Sequence, residues 1–232
     1  MSDETLLSTL RTITTATITT VLLKKGIRRT WMKGPRPLAD GQARIAGRAF
    51  TLRFVPMRED LATPASWSSP RSTRAAIEEM PENCIAVIDA MGVSDAGVFG
   101  DILAQRMAVR GVAGLVTDGV MRDKEGVLQT GLPVWCAGAA APASVAGLTF
   151  VGWQEPIGCG GIAIYPGDVV VADGDGAVVI PAALAEEVAR LGAEQEKLEA
   201  WIMDEVKQGK ALPGLYPPNE DALARYAARK KP

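Results

Sequence analysis

The residue types best suited to chemistry cluster between Gly100 and Asp123, in the stretch GDILAQRMAVRGVAGLVTDGVMRD. A glycine-led turn carrying Asp101 opens a helix predicted to run to about Arg110. A short apolar strand follows over 112–116 and ends in a loop holding Asp118, Gly119, Arg122 and Asp123. A helix start beside a strand end forms a ligand crevice in α/β folds. Helix N-termini attract anions, and loop carboxylates attract divalent cations. A crevice offering both fits an acidic substrate bound through a metal.

Two acidic side chains, completed by backbone carbonyls and waters, suit an octahedral Mg²⁺ site. Arg122 adds a planar guanidinium able to meet a carboxylate or enolate oxygen at two points. The amides of Gly100, Asp101, Ile102 and Leu103 are expected to point out of the helix start toward a carboxylate or a developing oxyanion. Together these groups would stabilise an enolate: a metal polarises a 2-keto group, Arg122 neutralises charge and the amides hold the carboxylate. Each feature alone also has a structural reading. Gly-Asp is a common helix start and Asp-Gly a common turn. Asp123 could cap the next helix, and Arg122 could pair with Asp101 on the surface. As one spaced set they favour the functional reading.

Composition narrows the chemistry further. The chain has 232 residues, 47% apolar and 22% charged, enough for one domain with a buried core. Its net charge of −2, from 25 basic and 27 acidic residues, gives no nucleic-acid footprint. There is no histidine, which removes His-based triads and His-ligated zinc and points any metal toward Mg²⁺ or Mn²⁺. Cys84, Cys136 and Cys159 are widely spaced without a CxxC, as expected of free thiols in a reducing compartment. A cysteine nucleophile would lack a histidine to activate it. The N-terminus has no signal-peptide pattern and no apolar run is long enough to span a bilayer, so no membrane or nucleic-acid partner is expected and the location expected is cytoplasmic.

The elements that must position the cluster read as a layered α/β fold with a mixed sheet. Residues 3–25 read as helical, with Ser2 or Asp3 as N-cap, Gly26 as stop and Thr14–Lys25 as the clearer part. Residues 27–41 read as a loop, and 43–56 as one or two strands. The loop over 57–72, with Arg58, Glu59, Asp60 and Trp67, is a candidate lid or specificity loop. A short helix over 73–80 precedes a buried strand over 84–90. After the central unit come a helix near 123–129, a strand over 132–137, and short strands with glycine turns over 148–180. Asp173-Gly174-Asp175-Gly176 reads as a hairpin turn rather than a calcium loop. The clearest helix spans 182–208, and Asn219 can cap a last short one. Gly97-Val98-Phe99-Gly100 lacks the full dinucleotide fingerprint.

The spacing of Asp101, twenty residues, then Arg122-Asp123, with the flanking TGLPVW and PGDVVVADGDGAVVIP, resembles the D-x20-R-D pattern of a known family. That family is the class II pyruvate aldolases of the 4-hydroxy-4-methyl-2-oxoglutarate type, which also includes the regulators of ribonuclease E activity A. The resemblance covers roughly 14–184 and implies a swivelling β/β/α fold and one domain with a helical extension over 185–232. It implies homotrimers or homohexamers with active sites between subunits. It makes Asp123 a ligand of Mg²⁺ or Mn²⁺ and lets Asp101 hold the ion through water. Arg122 would bind the keto oxygen of pyruvate and the Gly100–Leu103 amides its carboxylate. The base would be a metal-activated water or hydroxide. Retro-aldol cleavage and oxaloacetate decarboxylation share the pyruvate enolate, so a 2-keto acid lyase is the expected activity. The alternatives are a non-catalytic regulator that binds a ribonuclease, and a related lyase or hydratase acting on a sugar-acid-type substrate. Retention of Asp101, Arg122 and Asp123 favours the enzyme. The segment 57–72 and the extension are longer than in a minimal member, and Glu59, Glu155 and Glu220 are candidates for an acidic residue lent by a neighbouring subunit.

Overall fold

Residues 1–229 are described by the computed structural model. Its chain opens with α1 (Asp3–Leu10) and α2 (Thr15–Lys24), bent 108° from one another. The single helix expected over 3–25 is therefore two. The break lies at Thr14, whose hydroxyl accepts from the Thr17 amide as N-cap of α2 while its own amide is donated to Glu196. Ser2 caps α1 through the Thr5 amide, and Gly26 stops α2 at a φ of +83° that favours glycine. No single helix among the described residues is long and apolar enough to cross a membrane.

Among the described residues the sheet has eight strands: β1 (Arg36–Pro37), β2 (Ile45–Pro56), β3 (Ile85–Asp89), β4 (Gly114–Thr117), β5 (Val134–Cys136), β6 (Leu148–Trp153), β7 (Val169–Asp173) and β8 (Gly176–Ile180). Their order is β1-β5-β4-β3-β2-β7-β8, with β6 also on β2. The pivot is β2. Its first residues pair antiparallel with β7 and its later ones pair parallel with β3 and antiparallel with β6. The run β2-β3-β4-β5 is parallel. Its crossovers carry α3 (Thr73–Glu79), α4 (Asp101–Val109) and α5 (Lys124–Gln129). After β8 come α6 (Ala185–Lys207) and α7 (Glu220–Ala228), and the final residues of the expected extension, 230–232, lie outside the described residues.

Side chains alternate across a strand, and that alternation divides the core. Val169 and Val171 pack with Leu10, Ile18 and Val188 of α1, α2 and α6, while Val170 and Ala172 face inward with Val116 and Trp135. Ala86, Ile88 and Leu115 pack beneath Ala76, Ala104, Met107 and Val127 of α3, α4 and α5.

The region 27–41, expected as loop, closes the sheet. The Met32 amide donates to Ala177 and the Val179 amide to Thr30, while β1 lies antiparallel on β5. Residues 30–37 thus join the first strand of the order to the last, and the sheet becomes a nearly closed barrel without open edges there. Another expectation fails at GIAIY. This stretch forms only an isolated Ile157–Ile164 bridge, because Gly160 and Gly161 both take positive φ and turn the chain back. The DGDG turn is the β7–β8 hairpin, as expected. The Asp173 carboxylate is spent on Thr15, Arg44 and the Asp175 amide.

Candidate active site

Three loops leave the carboxyl ends of β3, β4 and β5 and run side by side. The Val98 amide donates to Val120 at 2.8 Å, the Arg122 amide to Phe99 at 2.8 Å, and the Met121 amide to Gly138 at 3.0 Å. This ladder carries the sheet's order beyond its strands. Gly97 permits the closest approach: a β-carbon there would fall 2.2 Å from Arg122 Cγ and 2.8 Å from the Arg122 nitrogen. The start of α4 and the Arg122-Asp123 pair consequently border one cavity of about 270 Å³. All six residues expected from the sequence, Gly100, Asp101, Ile102, Leu103, Arg122 and Asp123, line it.

Asp101 opens α4, and its Oδ1 accepts the Ile102 amide at 2.7 Å. One of the four amides expected to serve a ligand is therefore taken. Those of Gly100, Asp101 and Leu103 have no protein acceptor among the described residues. The Ile102 side chain stands 80% exposed. Asp123 sits at the N-cap position of α5 yet makes no capping bond, and its backbone is left-handed, with φ 50° and ψ 47°. Arg122 donates from Nε to the Ala141 carbonyl at 2.9 Å and forms no ion pair with Asp101. Two of the structural readings weighed from the sequence, a capping bond from Asp123 and an Arg122–Asp101 pair, are thus not formed, while Gly100 does stand at the N-cap of α4.

Glycines seat both carboxylates. A β-carbon on Gly100 would fall 2.6 Å from Asp123 Oδ2, and one on Gly126 would fall 2.7 Å from Asp101 Oδ2. Gly126 was not identified from the sequence. Its signal was a glycine inside a helical stretch, which is unfavourable unless something needs the space. Asp118 belongs to the same loop but turns away. It is buried, accepts from the Ala90 and Gly160 amides, and its carboxyl is pushed up by burial and by the Asp89 charge.

Trp67, Thr73 and Arg74 also line the cavity. Trp67 comes from the candidate lid, where Pro64–Ser68 forms one 3-10 turn, while Arg58 is occupied by Asp60. Arg74 and Thr73 went unnoticed in the sequence because nothing in their spacing links them to Gly100–Leu103 or to the Arg122-Asp123 loop. Of the acidic candidates for a neighbour's site, Glu155 lies 3.7 Å from both Arg53 and Arg71 of its own chain.

The donors at the cavity are oxygens, and no three His, Cys, Asp or Glu side chains gather as ligands among the described residues. Two carboxylates held over side-chain-free positions fit a hard divalent cation that keeps several waters. The thiols offer no nucleophile: Cys84, Cys136 and Cys159 are buried, and burial pushes the Cys84 pKa up to about 12.

The RraA-like family model (Aldolase/RraA) matches residues 15–179. Protein DlpA of Legionella pneumophila is 29% identical over 76% of this chain and 28% of its own length. A Halalkalibacterium halodurans protein provisionally named 4-hydroxy-4-methyl-2-oxoglutarate aldolase is 36% identical over 57% of this chain and 64% of its own. The chain thus spans less than two thirds of either curated relative. Among solved structures, Streptomyces coelicolor RraAS2, described as an unusual member of the RNase ES inhibitor RraA family, superposes with a TM-score of 0.77. It is 36% identical, over 86% of this chain and 96% of that one.

Proposed function

The chain belongs to the RraA-like family, and from that premise we propose that it is a divalent-metal-dependent lyase that cleaves or decarboxylates a 2-keto acid through a pyruvate enolate. The observation that carries this reading is the convergence of Asp101, Arg122, Asp123 and the open amides of α4 on one small cavity. The aldolase name of a relative supports it.

In this reading Asp123 and Asp101 hold Mg²⁺ or Mn²⁺. The bound ion supplies Lewis acidity toward the 2-keto oxygen. The free amides of Gly100, Asp101 and Leu103 hold the C1 carboxylate at the positive end of α4. Arg122, fixed through Nε on Ala141, presents its remaining N–H groups to the keto oxygen. In retro-aldol cleavage a water or hydroxide base takes the 4-hydroxyl proton as C4–O becomes a carbonyl, and in decarboxylation CO₂ leaves. In both, the C3–C4 electron pair moves into the enolate, Arg122 meets the growing negative charge, and protonation at C3 gives pyruvate. Aldol cleavage and oxaloacetate decarboxylation require the same stabilisation.

The test is pyruvate release from oxaloacetate before and after chelation, then with Mg²⁺ or Mn²⁺ restored. Activity lost to EDTA, regained with metal and abolished by Arg122→Ala supports the proposal. Chelator-insensitive activity, or near-wild-type turnover by the variant, overturns it. The RraAS2 likeness favours one other reading, a regulator that binds a ribonuclease. That reading expects a stable complex with a ribonuclease E-type enzyme, unchanged in Asp123→Asn. We further propose a homotrimer or homohexamer: Ile102 and Val109 are 80% and 66% exposed on α4 beside the cavity, an apolar surface suited to a partner subunit. Light scattering reads the mass directly.

A further inference from the structure

We propose that Gly126, inside α5, is a positioning residue for the metal site: it leaves the space in which the Asp101 carboxylate is held, so that one turn of α5 sets both carboxylates. This rests on the reading of the cavity as a metal-dependent site.

Glycine is disfavoured inside a helix relative to alanine, and α5 has only six residues to spare for it. Gly126 lies in the first turn, and its φ is not positive, so its backbone does not call for glycine. Space does. A β-carbon there would fall 2.7 Å from Asp101 Oδ2, 2.8 Å from Asp101 Cβ and 3.2 Å from Asp101 Cγ. The whole Asp101 side chain lies against the glycine, so turning the carboxylate alone would not relieve the contact.

Asp101 is pinned from the other side as well. Its Oδ1 accepts the Ile102 amide at 2.7 Å, which leaves Oδ2 on the α5 side. Among the described residues Oδ2 meets no hydrogen-bond donor, and neither carboxylate oxygen of Asp123 meets one. Three carboxylate oxygens with unmet lone pairs suit a divalent cation that keeps part of its water shell. Asp123 is the N-cap of α5 and Gly126 stands three residues on. A single helical turn therefore carries one carboxylate and the seat of the other. Groups that only orient metal ligands are worth about tenfold to a hundredfold in metal affinity.

The experiment titrates the full chain with Mn²⁺ by calorimetry and follows melting beside it. Gly126→Ala is expected to melt within a few degrees of wild type, because the gain in helix propensity opposes the crowding. Its Mn²⁺ affinity is expected to fall about tenfold to a hundredfold. If the glycine acts through Asp101, the effects are not additive. Asp101→Ala combined with Gly126→Ala should then bind Mn²⁺ no more weakly than Asp101→Ala alone. Should Gly126→Ala fail to fold, adding Asp101→Gly removes the side chain it meets and is expected to restore folding. Wild-type Mn²⁺ affinity in Gly126→Ala, a further loss in the double variant, or no restoration by Asp101→Gly overturns the inference while the metal-dependent reading stands. Wild type that binds no Mn²⁺ overturns that reading and the inference with it.

Discussion

Asp123 Oδ2 rests against Gly100, 2.6 Å from where a β-carbon on that glycine would stand. Gly100 itself has φ −115° and ψ −170°, a conformation open to any residue. Gly100→Ala is therefore expected to fold and to displace the Asp123 carboxylate. Misplacing a reacting group by about 1 Å costs on the order of 100-fold in rate. Melting close to wild type with kcat/KM reduced by that order is the expected outcome, and unchanged turnover would show that Asp123 is not needed where it lies.

The left-handed backbone of Asp123 separates its conformational role from its chemical one. Aspartate and asparagine tolerate that region, while alanine pays roughly 1 kcal/mol for it. Asp123→Asn should melt like wild type, Asp123→Ala about 2–4 °C lower. Both should lose metal-dependent turnover. Calorimetry with the activity assay checks the pair.

Stability should fall with acid through Glu196. Burial acts to raise its pKa, but hydrogen bonds from the Thr14 amide and hydroxyl outweigh this and hold the carboxyl below its ordinary value of 4.5. A lowered folded pKa contributes stability above the unfolded value and loses it as pH falls through the folded one. Glu196→Gln should cost less than about 1 kcal/mol at pH 7, since the pair is only part-buried and a glutamine oxygen can still accept from Thr14. The difference from wild type should shrink below pH 4.5 and vanish as the carboxyl protonates. Urea titrations at pH 7 and at lower pH read it.

The three thiols should be inert while the protein is folded. All are buried and pushed above the ordinary range, chiefly by burial. Thiolate is the reactive form, so alkylation should proceed only in denaturant. Rapid labelling of the native protein by a disulfide reagent would contradict the packing around Cys84, Cys136 and Cys159.

Local features were legible in the sequence because they depend on near neighbours. Asn219 caps α7, Asp173 to Gly176 turns a hairpin, and the central helix–strand–loop unit forms where its periodicity places it. The candidate residues from Gly100 to Asp123 were also legible, since one crossover brings both ends of the unit to the carboxyl ends of adjacent strands. What pairs across long separations was not. The Thr14–Glu196 contact breaks an otherwise continuous helical run, and residues 30–37 gain strand partners from both ends of the sheet. Gly97 and Gly126 became meaningful only once Arg122 and Asp101 lay against them. Arg74 lines the cavity, and Glu78, four residues on, pairs with Arg106 and Arg110. Sequence alone determined which groups this protein could offer to a ligand. Tertiary structure decided which were free to act, because a hydrogen bond or close contact is settled by distance in space and not by distance along the chain.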